Sequence, residues 1–329
     1  VSIVLTNACN LNCVTCWSYS PYAGPPPVAW QRQHLPTDRL NEVYAELAEL
    51  GTERVIYTGG GDPLAYPDFH TTAKAARSAG LKRTLISNLS LVREPERFLD
   101  TGIETILANF SAATPETYLA FHPNRKPTDF DTLLALLRQL GAQPGTTLKL
   151  VFVVCGLNCH EAGTVVELAG ELGAGVQFKL MSTLPGTGHL ALSEPQRKTL
   201  LTELPSIQAR ALALGVPTNL TALHSALHGQ TTRELPIETV GCSAGWFYGR
   251  IAANGTVRYC CSTHPDLVLG NILTQNFREL WFGERWQALR ARLRRGQFLD
   301  GCEACGKWDL NLQVRQALDD LTATTDTPC

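Results

Sequence analysis

Six short apolar runs, at residues 2–6, 54–58, 83–87, 105–109, 147–154 and 176–180, are each followed by a stretch of helical periodicity. A strand that comes back to its sheet through a helix runs parallel to the one before it, whereas an antiparallel return needs only a tight turn. The alternation therefore restricts the chain to an α/β fold with a parallel sheet covered by helices. The helical stretches fall at 37–50, 69–79, 95–100, 130–140, 160–172 and 193–214, with a further short one at 115–121. In the first, Leu40, Val43, Tyr44, Leu47 and Leu50 share one face and Gly51 ends it. In barrels of such units ligands bind at the C-terminal ends of the strands. The loops at those ends are where chemistry is expected.

The loop after the first run reads Thr6-Asn7-Ala8-Cys9-Asn10-Leu11-Asn12-Cys13-Val14-Thr15-Cys16-Trp17. Three thiolates within eight residues can hold three corners of a cubane iron–sulfur cluster, and with no fourth cysteine in the loop one iron stays open to an outside ligand. Structural zinc is the alternative, but it prefers four ligands in two close pairs. The C-x3-C-x2-C spacing, the aromatic Trp17 and the apolar strand before them resemble the signature of the radical S-adenosylmethionine (SAM) superfamily. The resemblance implies that the open iron chelates SAM. It also implies that the reduced cluster cleaves SAM to a 5'-deoxyadenosyl radical, which takes a hydrogen atom from an unactivated carbon.

One βα unit later the second strand runs into Gly59-Gly60-Gly61-Asp62-Pro63, where glycines allow close backbone approach to a ligand. Gly60, Gly61, Asp62 and Pro63 match the family's Gly-Gly-Glu-Pro segment, which contacts the SAM amino group, with Asp in place of Glu. Ser87-Asn88-Leu89 is similar to the family's Thr-Asn-Gly stretch without its glycine. Asn88 and Ser111 are thus expected to contact SAM, with Asn109, Lys179 and Ser182 as further strand-end candidates. Six βα units fit the family's open partial (β/α)6, TIM-like barrel, expected over residues 1–220. His122 is expected on a surface loop, the alternative being a place near the barrel mouth, where a histidine can act as acid or base. Cys155 and Cys159 flank the end of the fifth strand, either as core residues or as thiols facing the pocket.

The remainder, residues 221–329, carries Cys242, then a hairpin around Asn254-Gly255 leading to Cys260 and Cys261, and a helix at 285–294 leading to Cys302 and Cys305. The Asn-Gly step signals a two-residue turn. This layout resembles the twitch domain, the short relative of the SPASM domain, a small α+β unit that binds an auxiliary 4Fe-4S cluster. Cys242, Cys260, Cys302 and Cys305 are its implied ligands, Cys260 rather than Cys261 because it holds the Gly-x4-Cys position. A four-cysteine zinc site is the alternative. SAM and two 4Fe-4S clusters in total are expected.

Of the 329 residues 44% are hydrophobic and 18% charged, with a net charge of -2, which fits a globular chain with a full core. No apolar run reaches the ~18 residues of a membrane span, and Arg290 to Arg295, the densest basic patch, reads as a solvated helix end. Neither membrane nor nucleic acid is an expected partner. Eleven cysteines behind no secretory leader point to metal use in the cytoplasm instead of disulfides. Position 1 is not methionine, so residues can precede Val1.

An auxiliary cluster with four protein ligands has no open iron and suits electron transfer. The expected reaction is then net dehydrogenation of a small polar molecule such as a sugar, aminocyclitol or aminoglycoside-like intermediate, as in the similar twitch-containing dehydrogenases of aminocyclitol biosynthesis. A flavodoxin or ferredoxin-type donor would reduce the first cluster. Epimerisation is the alternative ending, with a thiol returning hydrogen to the radical, Cys261 first and Cys155 or Cys159 in reserve. Maturation of a ribosomal peptide follows; with Cys9 so near the start no recognition domain is expected before it. A zinc-binding scaffold is the non-enzymatic reading.

Overall fold

The computed structural model describes residues 1–229, 236–260, 267–300, 302, 305 and 307–325. β1 (Ser2–Val4), β2 (Arg54–Thr58), β3 (Lys82–Ser87), β4 (Thr105–Asn109), β5 (Thr147–Val154) and β6 (Gly175–Leu180) lie side by side in chain order. Every neighbouring pair among them is parallel. The helices Thr37–Glu49, Phe69–Ser78, Pro95–Leu99, Pro127–Gly141, Ala162–Glu171 and Glu194–Ala213 follow the six strands in turn. This is the partial barrel that the alternation predicts.

Alternation of side chains along each strand divides the fold into core and site. Leu148, Leu150, Phe152 and Val154 of β5 are buried under the helices, while Val151 and Val153 between them line a cavity on the other face. The first helix buries Leu40, Val43, Tyr44 and Leu47, the stripe its spacing predicts. At the N-terminal end of the strands the buried Arg83 meets Glu104 at 2.6 Å.

Between the cysteine loop and the first long helix lies one short helix, Val28–Gln31. Cys159–Glu161 forms a 3-10 turn ahead of Ala162–Glu171, so the helix expected at 160–172 begins later. The stretch after residue 215 adds one more helix to the barrel. Helix Leu220–Leu227 buries Leu220, Leu223 and Leu227 and packs on β6. Just before it, Asn219 accepts a hydrogen bond from the Phe178 N–H (2.7 Å) and donates to the Phe178 carbonyl (2.9 Å). These bonds occupy main-chain groups that an edge strand leaves free.

The C-terminal hairpin extends the same sheet. β7 (Arg250–Ile251) pairs parallel with β1, Ser2 opposite Arg250 and Ile3 opposite Ile251, and is followed outward by antiparallel β8 (Thr256–Arg258) and β9 (Gly270–Asn271). With Ile251 opposite Val257 and the Ala252 N–H bonded to the Thr256 carbonyl, the loop holds three residues, 253–255, not two. Gly255 at φ +81° supplies the left-handed position such a loop needs. Arg39 fastens this part to the barrel, its Nε donating to the Ile272 carbonyl (2.6 Å) and its Nη1 to Glu46 (2.7 Å). Glu46 in turn accepts from the Phe277 N–H (2.6 Å).

Candidate active site

A cavity of about 350 Å³ opens at the C-terminal ends of the strands, and Cys9, Cys13 and Cys16 all line it. The strands contribute Thr58, Ile86 and Asn88, Asn109 and Ser111, Val151 and Val153, and Lys179. These are mostly i, i+2 pairs, the inward-facing residues of a pleated strand. The expected strand-end candidates are thus brought together, except Ser182, which is not in the lining.

The cysteine loop is held from several sides. Asn10 accepts from Asn124 and Arg125 on its carbonyl (both 2.9 Å), while its side chain donates to Ser90 (2.8 Å) and accepts from Asn88 (3.2 Å). The Val14 N–H donates to the Phe121 carbonyl (3.0 Å), and the Tyr19 hydroxyl to the Asn7 carbonyl. Backbone N–H groups point at the sulfurs, Leu11 at Cys9 (3.5 Å) and Ser18 and Tyr19 at Cys16 (3.4 and 3.3 Å). Burial pushes the Cys9 thiol up to about 12, and Asp62 and Cys16 add to the rise; Cys13 is raised by burial and by the other two cysteines. Three soft donors, N–H groups aimed at them and mutual repulsion fit a bound cationic iron cluster, which relieves that repulsion.

Gly60 and Gly61 meet the protein itself. A β-carbon on Gly61 would overlap the Ala8 carbonyl, and one on Gly60 the Asn7 amide and the Trp30 ring. The Asp62 N–H then donates to the Ala8 carbonyl (2.9 Å). The glycines thus let the turn lie flat on the cysteine loop. Asp62 is buried, and its carboxylate accepts from the Leu64 N–H (2.9 Å), the Ser87 hydroxyl (2.9 and 3.0 Å) and the Asn88 N–H (2.8 Å). It braces β2 against β3; Pro63 starts the following 3-10 turn.

Leu89 stands where the family has glycine and keeps the glycine conformation, φ +61°, the one positive-φ residue other than glycine among those described. Ser111 accepts on its hydroxyl from the Val153 N–H (3.0 Å). Asn158, which the sequence reading passed over, accepts from the Cys155 N–H and donates to the Ser111 and Val153 carbonyls (all 2.8 Å). An Asn set between Leu157 and Cys159 just after an apolar strand is the only sign of it in the sequence.

His122 is not on the surface. It is buried and lines the cavity, its ring hydrogen-bonded to the Tyr118 carbonyl at 3.0 Å. Burial lowers its pKa to about 4. Cys155 and Cys159 do not line the cavity; Cys155 packs with Val14, Phe121, Met181 and Leu190, and Cys159 belongs to the main core. Lys179 does line it, its ammonium drawn below the usual lysine range by loss of water and then by Lys307.

The second cysteine group converges as well. Cys302 and Cys305 are buried beside Ile237, Val240 and Trp308. Burial raises Cys242 to about 11, with Cys305 and Cys302 adding to it. The Tyr259 hydroxyl is raised by burial and then by Cys302, Cys260 and Cys242, and it is hydrogen-bonded to Cys302. Cys261 lies outside the described residues. The sequence reading missed the helix Trp308–Thr325 that closes this site.

Residues 3–169 match the Radical SAM superfamily. The chain belongs to that superfamily. Residues 242–306 match SPASM, an iron-sulfur cluster-binding domain. This radical SAM enzyme is 27% identical over 317 residues to an AdoMet-dependent heme synthase of Methanosarcina barkeri, covering 92% of this chain and 86% of that one. It is also 27% identical over 316 residues to the mycofactocin maturase MftC of Mycobacterium tuberculosis, covering 93% and 75%. Its fold is shared by Streptococcus suis SuiB bound to S-adenosylmethionine, with a TM-score of 0.65 at 15% identity over 95% of this chain and 70% of that one. Its cofactors are SAM and two 4Fe-4S clusters. Among the described residues no helix is long and apolar enough to cross a membrane.

Proposed function

We propose that this radical SAM enzyme carries out the net dehydrogenation of a small polar substrate. In this reading Cys9, Cys13 and Cys16 hold the cluster that binds SAM. Gly60, Gly61, Asp62 and Pro63 shape the SAM site, with Asn88 and Ser111 on its floor, and Cys242, Cys260, Cys302 and Cys305 hold the auxiliary cluster. Bound SAM and its cluster supply a radical that removes one hydrogen atom from a substrate carbon. Completing the oxidation to a carbonyl requires loss of a proton from the neighbouring hydroxyl and of one further electron, for which the auxiliary cluster held by Cys242, Cys260, Cys302 and Cys305 would supply the acceptor. The two domains proposed are residues 1–220 and 221–329.

The observation that carries this reading is where the spare thiols sit. Epimerisation needs a thiol at the substrate to return hydrogen, and neither Cys155, packed behind the cavity wall with Phe121 and Val153, nor Cys159, in the main core, is in the cavity lining. Cys261 remains the candidate donor for the alternative. Lys179 narrows the substrate. The other charged residue in the lining, Asp62, spends its carboxylate on its own chain, which leaves the ammonium to receive a carboxylate or phosphate. Maturation of a peptide-like substrate is the second reading, supported by the likeness to the mycofactocin maturase over most of the chain.

The test is turnover of the reduced, reconstituted enzyme with SAM in deuterated water against hydroxylated acids and sugar phosphates. Equal amounts of 5'-deoxyadenosine and carbonyl product, with no deuterium at the reacting carbon, are expected. Deuterium at that carbon without oxidation would replace dehydrogenation by epimerisation.

A further inference from the structure

Asn311 belongs to helix Trp308–Thr325 and is 1% exposed. Its two amide ends are committed in opposite senses. Oδ1 accepts from the Ser243 N–H at 2.9 Å, next to Cys242 in the chain, while Nδ2 lies 3.8 Å from the Cys305 sulfur as a donor. The bond to Ser243 fixes which end faces the sulfur, because an N–H can be answered only by the amide oxygen. The Cys305 sulfur also accepts from the Lys307 N–H (3.4 Å). From another element, Tyr259 at the end of the hairpin brings a hydroxyl to Cys302. Two buried side chains thus aim donors at two of the four sulfurs. Burying a side-chain amide is costly unless both ends are bonded, so the sulfur is an acceptor the amide requires.

Hydrogen bonds to cluster sulfurs stabilise the more negative, reduced state and raise the reduction potential. We infer that Asn311 is a positioning residue that tunes the auxiliary cluster, its Nδ2 donor on Cys305 raising the potential so that the cluster takes an electron readily. This rests on the reading of Cys242, Cys260, Cys302 and Cys305 as the auxiliary ligands. Ser243 ties the donor to the backbone beside a second ligand, so the amide cannot turn away without breaking that bond. The helix carrying it follows the Cys302 to Cys305 segment directly, which sets sulfur and amide in fixed register.

Asn311→Asp keeps an oxygen for Ser243 and replaces the donor at the sulfur by an acceptor. The full chain is reconstituted, and the auxiliary cluster is titrated by electron paramagnetic resonance, its signal assigned in a chain with Cys9, Cys13 and Cys16 all changed to alanine. The expected result is a more negative midpoint, roughly a tenfold shift in the reduced-to-oxidised ratio, or about 59 mV for one electron. The iron content and the midpoint of the first cluster should stay as they were. Asn311→Ala, which removes the donor without adding a charge, should shift in the same direction and serves if Asn311→Asp loses iron. An unchanged midpoint in whichever Asn311 variant retains its iron would overturn the inference. About four irons in the unaltered chain would instead remove the auxiliary cluster itself, and with it the reading beneath.

Discussion

Asp62 is the residue whose loss should be felt most widely around the site. Its carboxylate answers three donors, Leu64 N–H, Ser87 hydroxyl and Asn88 N–H, at 2.8 to 3.0 Å, all in a buried setting. Asp62→Ala strands all three, and each unanswered buried donor costs ~1–3 kcal/mol, or about 3–9 kcal/mol together. Against this stands the release of a buried carboxylate, whose pKa is raised chiefly by desolvation, an offset of several kcal/mol. The balance is a loss of about 2–4 kcal/mol. Asp62→Asn keeps one acceptor oxygen and should lose roughly half as much. Urea unfolding of both variants without cofactors measures this directly. Because Asn88 and the glycine turn are set by the same carboxylate, the SAM dissociation constant of Asp62→Ala should also rise at least tenfold. Destabilisation below ~1 kcal/mol for Asp62→Ala, or a larger loss for Asp62→Asn, would refute the bracing role.

Three further outcomes follow from the geometry. His122 falls from an ordinary value of 6.5 to about 4 on folding, so the unfolded chain binds its proton more tightly. About 3 kcal/mol of stability is therefore present above pH 6.5 and lost as pH falls toward 4, and His122→Phe should flatten that slope in urea titrations at pH 4.5 and 7. Leu89→Gly relieves ~1–2 kcal/mol of left-handed strain but gives up a fully buried leucine, for which even the change to alanine costs ~2–5 kcal/mol. It should destabilise by about 1–3 kcal/mol; a gain in stability would show that strain outweighs packing there. Lys179→Met should leave the SAM dissociation constant within about twofold and raise KM for an acidic substrate at least tenfold; the reverse pattern would assign the ammonium to the cofactor.

Much of this was legible in the sequence because it depends on period and spacing. Six strands and their helices follow from apolar alternation that tertiary packing has no reason to override, and the cysteine loop is one contiguous motif. What escaped depends on long-range partners. Asn10, Ser90, Asn124, Arg125 and Asn158 are ordinary polar residues until the chain brings them together around the cysteine loop and β5. His122 reads as a loop residue because its neighbours Pro123 and Asn124 are turn formers, yet Tyr118 and Phe121 bury it. Leu89 shows the opposite case, a conformation retained after the residue that favours it has gone. The turn at Asn254-Gly255 was placed correctly but one residue short, since Gly255 serves as the left-handed third residue of the loop.

The central claim is that two clusters occupy two separate cysteine groups, the first at the barrel mouth. Iron, sulfide and zinc per chain after anaerobic reconstitution, for the unaltered chain and for one with Cys9, Cys13 and Cys16 changed to alanine, test it most directly. About eight irons falling to about four are expected, with 5'-deoxyadenosine formation lost in the variant. Stoichiometric zinc with little iron, or an iron content that the three substitutions leave unchanged, would contradict it.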